Sequence, residues 1–180
     1  MEILKINCEN GATASKILSQ LEEYQWLKKS GNTDENYADE EKPKKLEEIH
    51  EIIDEQKISD VAKKDAKEIF EILSVAECKI HTQKKSEIHF HEIGQSANIK
   101  KICKICQMIE EIAPDKIIAT PMNLGRGEIF CSHGKLTIPA PATQEIIVGM
   151  ETFTDEKKGE LTTPSGAAII KYFTKVKKWT

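Results

Sequence analysis

The pattern that most constrains this 180-residue chain is an amphipathic helical stripe that begins after Ser59. Its apolar residues recur every three or four positions, which is the spacing of one buried helix face. They are Ala62, Ala66, Ile69, Phe70, Leu73, Ala76 and Ile80. Ser59 is placed to cap this helix. A shorter apolar pattern at 46–53 follows Pro43, which suits a first helical turn. We therefore expect a helical hairpin segment whose helices pack on each other or on a sheet.

Short strand-like segments alternate with helical patterns in the rest of the chain. Strands are predicted near residues 2–7, 88–93, 116–122, 128–132 and 134–138. Helices are predicted to begin near Thr13 or Ser15, Ser96, Pro141 and Thr163. This order predicts an α/β fold, a single domain over residues 1–180 with helices packed on a mixed sheet of about four to five strands. Residues 30–42 are acidic and rich in turn formers, which predicts a flexible loop.

Composition excludes several classes of function. The net charge of −4 gives no sign of a nucleic-acid-binding groove. No apolar run approaches the roughly 20 residues that a membrane-spanning helix needs. The five cysteines are an odd number without a secretory leader, which favours reduced thiols in the cytoplasm.

Residues 89–94, HFHEIG, form the first candidate site. In a strand, His89 and His91 would face the same side and Phe90 the other. Two imidazoles with Glu92 at the strand end suit a transition metal with nitrogen and oxygen ligands. The alternative is a pair of polar histidines on the exposed face of a half-buried sheet.

Two further segments contain cysteines that could bind a metal or act in redox chemistry. Cys131 and His133 lie near a glycine turn and could complete a metal site with His89 and His91, although a strand cysteine is more often a small buried residue. Cys103 and Cys106 form a CxxC pattern inside a predicted helix. Redox CxxC pairs normally lie at a helix start, so core packing is the favoured interpretation.

A candidate anion site lies at residues 161–168, LTTPSGAA. Thr163 is placed as the N-cap, Pro164 at the first helical position, and small residues follow. The N–H groups and dipole of a helix N-terminus favour phosphate or carboxylate. The alternative is an ordinary capped helix whose small residues allow close packing.

As an ordered set, segments within residues 68–170 resemble the N-terminal part of LarC-type nickel-insertion proteins. Residues 76–81, AECKIH, and 89–94, HFHEIG, are similar to the family's AEAKVH and HFHEVG. Residues 123–127, 131–136 and 139–143 resemble its PLPLGxG and CAHGxLPVPAPAT segments, and residues 159–168, GELTTPSGAA, resemble GELVTPTGAA.

The resemblance implies a nickel chelatase, a lyase by class, which loads Ni²⁺ into pyridinium-bisthiocarboxylate mononucleotide, the cofactor precursor of lactate racemase-type enzymes. It also implies the use of CTP with a divalent metal. The implied metal residues are His81, His89, His91, Glu92 and His133. The implied cofactor-binding residues are Thr163, Ser165 and Gly166.

The chain also departs from the family pattern. Asn7, Ser15 and Ala97 stand where the family has acidic residues, which would weaken binding of a hard cation. We expect the family's C-terminal nucleotide-binding half to lie outside this chain, as a separate partner. The alternative functions are a non-catalytic paralogue acting as an interaction module and, from the histidines alone, a zinc-dependent hydrolase. The sequence neither predicts nor excludes a homo-oligomer.

Overall fold

The structure, a computed structural model, describes residues 1–26, 42–131 and 134–177. The predicted acidic loop lies outside these residues, apart from Lys42. The helices are α1 (Ala14–Trp26), α2 (Leu46–Glu55), α3 (Asp60–His81), α4 (Ser96–Ile112), α5 (Pro141–Ile146) and α6 (Pro164–Lys171), and a π-helical turn follows at Tyr172–Val176. The strands are β1 (Ile3–Ile6), β2 (Lys116–Ala119), β3 (Met122–Asn123), β4 (Gly125–Arg126), β5 (Glu128–Cys131), β6 (Gly134–Thr137), β7 (Thr152–Phe153) and β8 (Gly159–Glu160).

Helix α3 is the centre of the helical layer. Its predicted stripe is buried from Ala62 to Ala76, and helices α2, α4, α5 and α6 pack against it. The Ser59 hydroxyl accepts a hydrogen bond from the Ala62 N–H at 3.0 Å, so the predicted cap is confirmed. The hairpin of α2 and α3 is also confirmed, but α2 begins at Leu46 and Pro43 precedes its first turn. No helix in the described ranges is long and apolar enough to cross a membrane.

The α/β class is confirmed, whereas the described residues do not form the one mixed sheet of four to five strands that was predicted. The described strands pair two by two: β1 with β2 and β3 with β7 in parallel, β4 with β8 and β5 with β6 antiparallel. Each strand has only two to four residues. Positive-φ glycines begin three of these short strands, β4 at Gly125, β6 at Gly134 and β8 at Gly159, and a fourth, Gly127, separates β4 from β5.

The HFHEIG segment is not the predicted strand. Among the described residues, its one bridge joins Phe90 to Lys44 through two backbone hydrogen bonds of 2.8 and 3.0 Å. A Cβ on Gly94 would lie 2.6 Å from the Phe90 carbonyl oxygen, so the tight turn that ends the segment requires glycine. The predicted alternation of side chains is nevertheless present. Phe90 is buried edge-to-face against Phe70, whereas His89 and His91 are exposed.

Candidate functional site

A cavity of about 400 Å³ lies where the N-terminal ends of α1, α5 and α6 meet the C-terminal end of α3 and the β5–β6 hairpin. Its apolar lining is Ala14, Ile80, Ile93, Ile129, Leu136, Ala140, Pro141, Ala142 and Pro164. Its polar lining is Thr13, Ser15, Glu77, His81, Glu92, Asn98, Lys101, Glu160, Thr163 and Ser165. Sites for small molecules are usually of about 300–1,000 Å³, mostly apolar, with a few polar groups. The cavity therefore has the size and lining of a small-molecule site.

The cavity brings together four of the residues predicted from the sequence. His81, Glu92, Thr163 and Ser165 come from three separate segments and all line it. His89 and His91 are exposed and are not part of its lining. His133 lies outside the described residues.

The N-terminal ends of α1 and α6 are held side by side by two hydrogen bonds. The Thr163 N–H donates to the Ala12 carbonyl at 2.9 Å, and the Ala12 N–H donates to Thr162 Oγ1 at 3.0 Å. A Cβ on Gly166 would lie only 2.0 Å from the Ala12 carbonyl oxygen. Gly166 therefore allows the two helix starts to meet at the cavity. Thr163 is the predicted N-cap, with Oγ1 accepting from the Gly166 N–H at 3.3 Å.

An asparagine connects two of the sequence segments at the cavity wall. Asn98 Nδ2 donates to the Ile93 carbonyl at 2.7 Å and to Ser165 Oγ at 3.1 Å. This amide ties the end of the HFHEIG segment to the first turn of α6. Its position is set by α4, which begins two residues earlier at Ser96.

The polar wall near α1 is electropositive. Lys101 Nζ donates to Ser15 Oγ at 2.9 Å, in the first turn of α1. The partial positive charge of a helix N-terminus adds to the lysine charge, and α1 and α6 both contribute such an end. This side of the cavity can therefore bind an anion.

Three carboxylates lie elsewhere in the lining. Glu77 Oε2 lies 3.4 Å from His81 Nε2, and Glu92 lies at the end of the HFHEIG segment. Glu160 Oε1 is buried and has no hydrogen-bond partner among the described residues. Burial also raises the pKa of the Glu160 carboxyl above its usual value.

Sequence reasoning missed Glu160, Asn98 and Lys101 as site residues. Glu160 lies in the same GELTTPSGAA segment as Thr163, three residues earlier, and that proximity was the available signal. Asn98 and Lys101 gave no such signal, since each resembles an ordinary polar position on an amphipathic helix.

The predicted metal set is not assembled by the part of the chain that the structure describes. Within these ranges, no three His, Cys, Asp or Glu side chains are grouped to hold a metal ion. His89 Nδ1 lies 3.0 Å from the Glu87 carbonyl oxygen. The set of His81, His89, His91, Glu92 and His133 stays a prediction, since His133 lies outside the described residues.

The CxxC pair belongs to the core, as predicted. Cys103 and Cys106 are buried on α4, and both are free thiols. Burial raises the pKa of Cys103 to about 12 and that of Cys106 well above its ordinary value. Neither residue has the lowered pKa that a redox thiolate needs.

Comparison with known proteins places the chain in a family. The sequence model of the family described as "Nickel insertion protein" matches residues 5–179. This chain therefore belongs to the nickel insertion protein family. No solved structure matches it.

Curated relatives agree with this assignment. A relative from Dictyoglomus thermophilum is 42% identical over 125 residues, which is 69% of this chain and 32% of the relative. The pyridinium-3,5-bisthiocarboxylic acid mononucleotide nickel insertion proteins of Staphylococcus saprophyticus and Geobacillus kaustophilus are 38% and 40% identical, over 71% and 68% of this chain. These matches cover 33% and 30% of the two relatives. The chain thus spans about a third of the length of the curated relatives it matches.

Proposed function

We propose that this chain binds pyridinium-3,5-bisthiocarboxylic acid mononucleotide in the cavity and holds it while nickel is inserted. The observation that supports this most directly is the cavity itself, which combines apolar walls with an electropositive side. A mononucleotide has the matching chemistry, since it joins a flat aromatic ring to a phosphate. The names of two relatives supply the identity of the nucleotide.

The phosphate is proposed to bind at the electropositive side. Thr163, Ser165 and Gly166 form the first turn of α6, and the first turn of α1 lies beside it. Lys101 adds a full positive charge next to Ser15. The Gly166 N–H is used by the Thr163 cap, so the role proposed for Gly166 is to allow the two helix starts to approach.

Nickel is the inorganic substrate in this proposal. His81 and Glu92 line the cavity, and His89 and His91 lie in the adjoining HFHEIG segment, so these side chains are proposed to deliver Ni²⁺ to the bound nucleotide together with His133. The reaction is that of a nickel chelatase, and its product would serve lactate racemase-type enzymes.

The divalent metal expected with CTP does not fit Asn7 and Ser15, two of the positions at which the family has acidic residues. The Ser15 hydroxyl accepts from Lys101, and Asn7 Oδ1 accepts a hydrogen bond from the Glu9 N–H at 2.9 Å. A lysine ammonium beside Ser15 opposes a hard cation there. The described side chains of this cavity therefore do not fit a resident divalent metal.

The test is nickel loading by the full chain. Ni²⁺ and the synthetic mononucleotide are incubated with the protein, with and without CTP and Mg²⁺, and the nucleotide is analysed by mass spectrometry. The expected product is the nickel-containing nucleotide. If calorimetry shows no binding of the nucleotide to wild type, the proposal is contradicted. The remaining alternative is then a non-catalytic interaction module, which the presence of a small-molecule cavity does not favour.

Metal delivery is tested separately by titration with Ni²⁺ and Zn²⁺. A double variant, His89→Ala with His91→Ala, is expected to bind nickel more weakly than wild type. His50→Ala is the matched control, because His50 lines a different cleft between α2 and α3. Equal nickel binding by wild type and the double variant would remove His89 and His91 from the site.

A further inference from the structure

Glu160 is half-buried at the cavity wall, and one of its carboxylate oxygens has no hydrogen-bond partner within the described residues. Its Oε1 atom is buried and accepts no hydrogen bond there. An unsatisfied buried polar atom costs about 1–3 kcal/mol, and more when it is charged. Such atoms in native proteins usually point to a ligand or a water molecule.

The backbone holds this carboxylate in a defined place. Glu160 pairs with Gly125 across the β4–β8 ladder, and β8 also contacts β5 of the hairpin. Hairpin side chains Ile129 and Leu136 line the same cavity. The carboxylate is therefore part of a largely apolar wall and is anchored by strand pairing.

The side chains around Glu160 favour one kind of cation as its partner over the others. A metal ion requires several donor groups, and the described residues provide no cluster of three acidic, histidine or cysteine side chains. A strongly hydrated ammonium would lose its water against Ile129 and Leu136 without replacement. A planar aromatic cation spreads its charge over an apolar ring and suits one carboxylate between apolar side chains.

We propose that Glu160 is a specificity-determining residue that recognises a cationic aromatic ring of the pyridinium class. The ring lies against the hairpin residues Ile129 and Leu136, and its charge is balanced by Glu160. This inference rests on the proposed function, because it assumes that the cavity binds a pyridinium mononucleotide. The new element is the Glu160 carboxylate, which would distinguish a positively charged ring from a neutral one.

The experiment uses two probes that differ in ring charge. Nicotinamide mononucleotide has a pyridinium ring, and its 1,4-dihydro form has a neutral ring on the same ribose phosphate. Calorimetry on the full chain, without nickel, gives an affinity for each probe. Wild type is expected to bind the pyridinium form at least about tenfold more tightly, as a partly buried charge pair implies.

Glu160→Gln keeps the size of the side chain and removes its charge, so the affinity ratio is expected to fall to about one. Glu156→Gln is the matched control, since Glu156 is an exposed carboxylate that pairs with Arg126. It should keep the wild-type ratio. Thermal unfolding of Glu160→Gln should match wild type or exceed it, because an unpaired buried charge is removed.

Each failure has a separate meaning. Equal affinity of wild type for the two probes, a ratio that persists in Glu160→Gln, or no binding of either probe would overturn the role of Glu160. Nickel loading without ring-charge discrimination would leave the proposed function intact and remove only this inference. Discrimination between the two probes without nickel loading would support the role of Glu160 and contradict nickel insertion by this chain.

Discussion

Asn98 and Ser165 are 67 residues apart in the sequence and hydrogen-bonded at the cavity wall, with Nδ2 of Asn98 3.1 Å from Oγ of Ser165. The same amide donates to the Ile93 carbonyl at 2.7 Å. Through this one side chain, the segment that contains the histidines is fixed to the helix start proposed to bind phosphate. The relative position of the two halves of the site therefore depends on Asn98.

Replacing Asn98 by alanine removes both hydrogen bonds and leaves the Ile93 carbonyl without this donor. The free energy of unfolding is expected to fall by about 1–3 kcal/mol, measured by urea denaturation. The affinity for nicotinamide mononucleotide should fall as well. Asn98→Asp has nearly the same size but no N–H donor, and it should be at least as destabilised. Wild-type stability in both variants would contradict the importance of this link.

Lys101 should contribute to phosphate binding and not to ring binding. Lys101→Met is expected to weaken the binding of nicotinamide mononucleotide by roughly tenfold, as loss of a charge-assisted contact implies. Binding of nicotinamide riboside, which lacks the phosphate, should not change. Lys100→Met is the matched control on the exposed side of the same helix. An equal loss for both ligands in Lys101→Met would place Lys101 outside the phosphate site.

Gly166→Ala should disrupt the contact between the two helix starts. The new Cβ would lie 2.0 Å from the Ala12 carbonyl oxygen, and both partners are fixed by hydrogen bonds. The expected loss of stability is about 2–4 kcal/mol by urea denaturation, at the upper end of the cost of overpacking.

Gly149→Ala is the comparison for this substitution. Its added Cβ meets no atom within 4 Å, although the residue has a φ of +79°. Only the cost of a left-handed backbone is expected there, about 1–2 kcal/mol. A Gly166→Ala protein as stable as Gly149→Ala would show that the helix starts can move apart without cost.

Burial of Cys103 predicts a loss of stability at alkaline pH. The folded protein keeps the thiol proton until its pKa of about 12, whereas the unfolded chain releases it near 9.0. The unfolded state therefore binds fewer protons in this window, and the free energy of unfolding falls by about 1.4 kcal/mol per pH unit for this thiol. Stability from this group is fully present below pH 9.

Urea denaturation of wild type and Cys103→Ala between roughly pH 8 and 10.5 checks this effect. The alanine variant should start less stable, because a buried side chain is shortened, and its stability should decline less steeply with pH. Parallel declines in the two proteins would show that the Cys103 thiol titrates normally in the folded state.

Local signals predicted much of the fold. The buried stripe of α3, its Ser59 cap and the Thr163 cap follow from spacing and capping within a few residues, and all three are confirmed. The core position of Cys103 and Cys106 follows from the same helical spacing. The strand predicted at HFHEIG was wrong, because a strand depends on a pairing partner, and within the described ranges the segment makes a single bridge, between Phe90 and Lys44.

The sequence by itself determined most of the helices, the Ser59 and Thr163 caps, the buried face of α3 and the segments that contain His81, Glu92 and Ser165. These features depend on side chains within one or two turns of each other. The tertiary structure alone decided that His81, Glu92 and Ser165 share a cavity and that Asn98 links two of its walls. It also decided that one carboxylate oxygen of Glu160 is buried there without a described partner. Such contacts join residues far apart in the chain, so they follow from how the helices and strand pairs pack together.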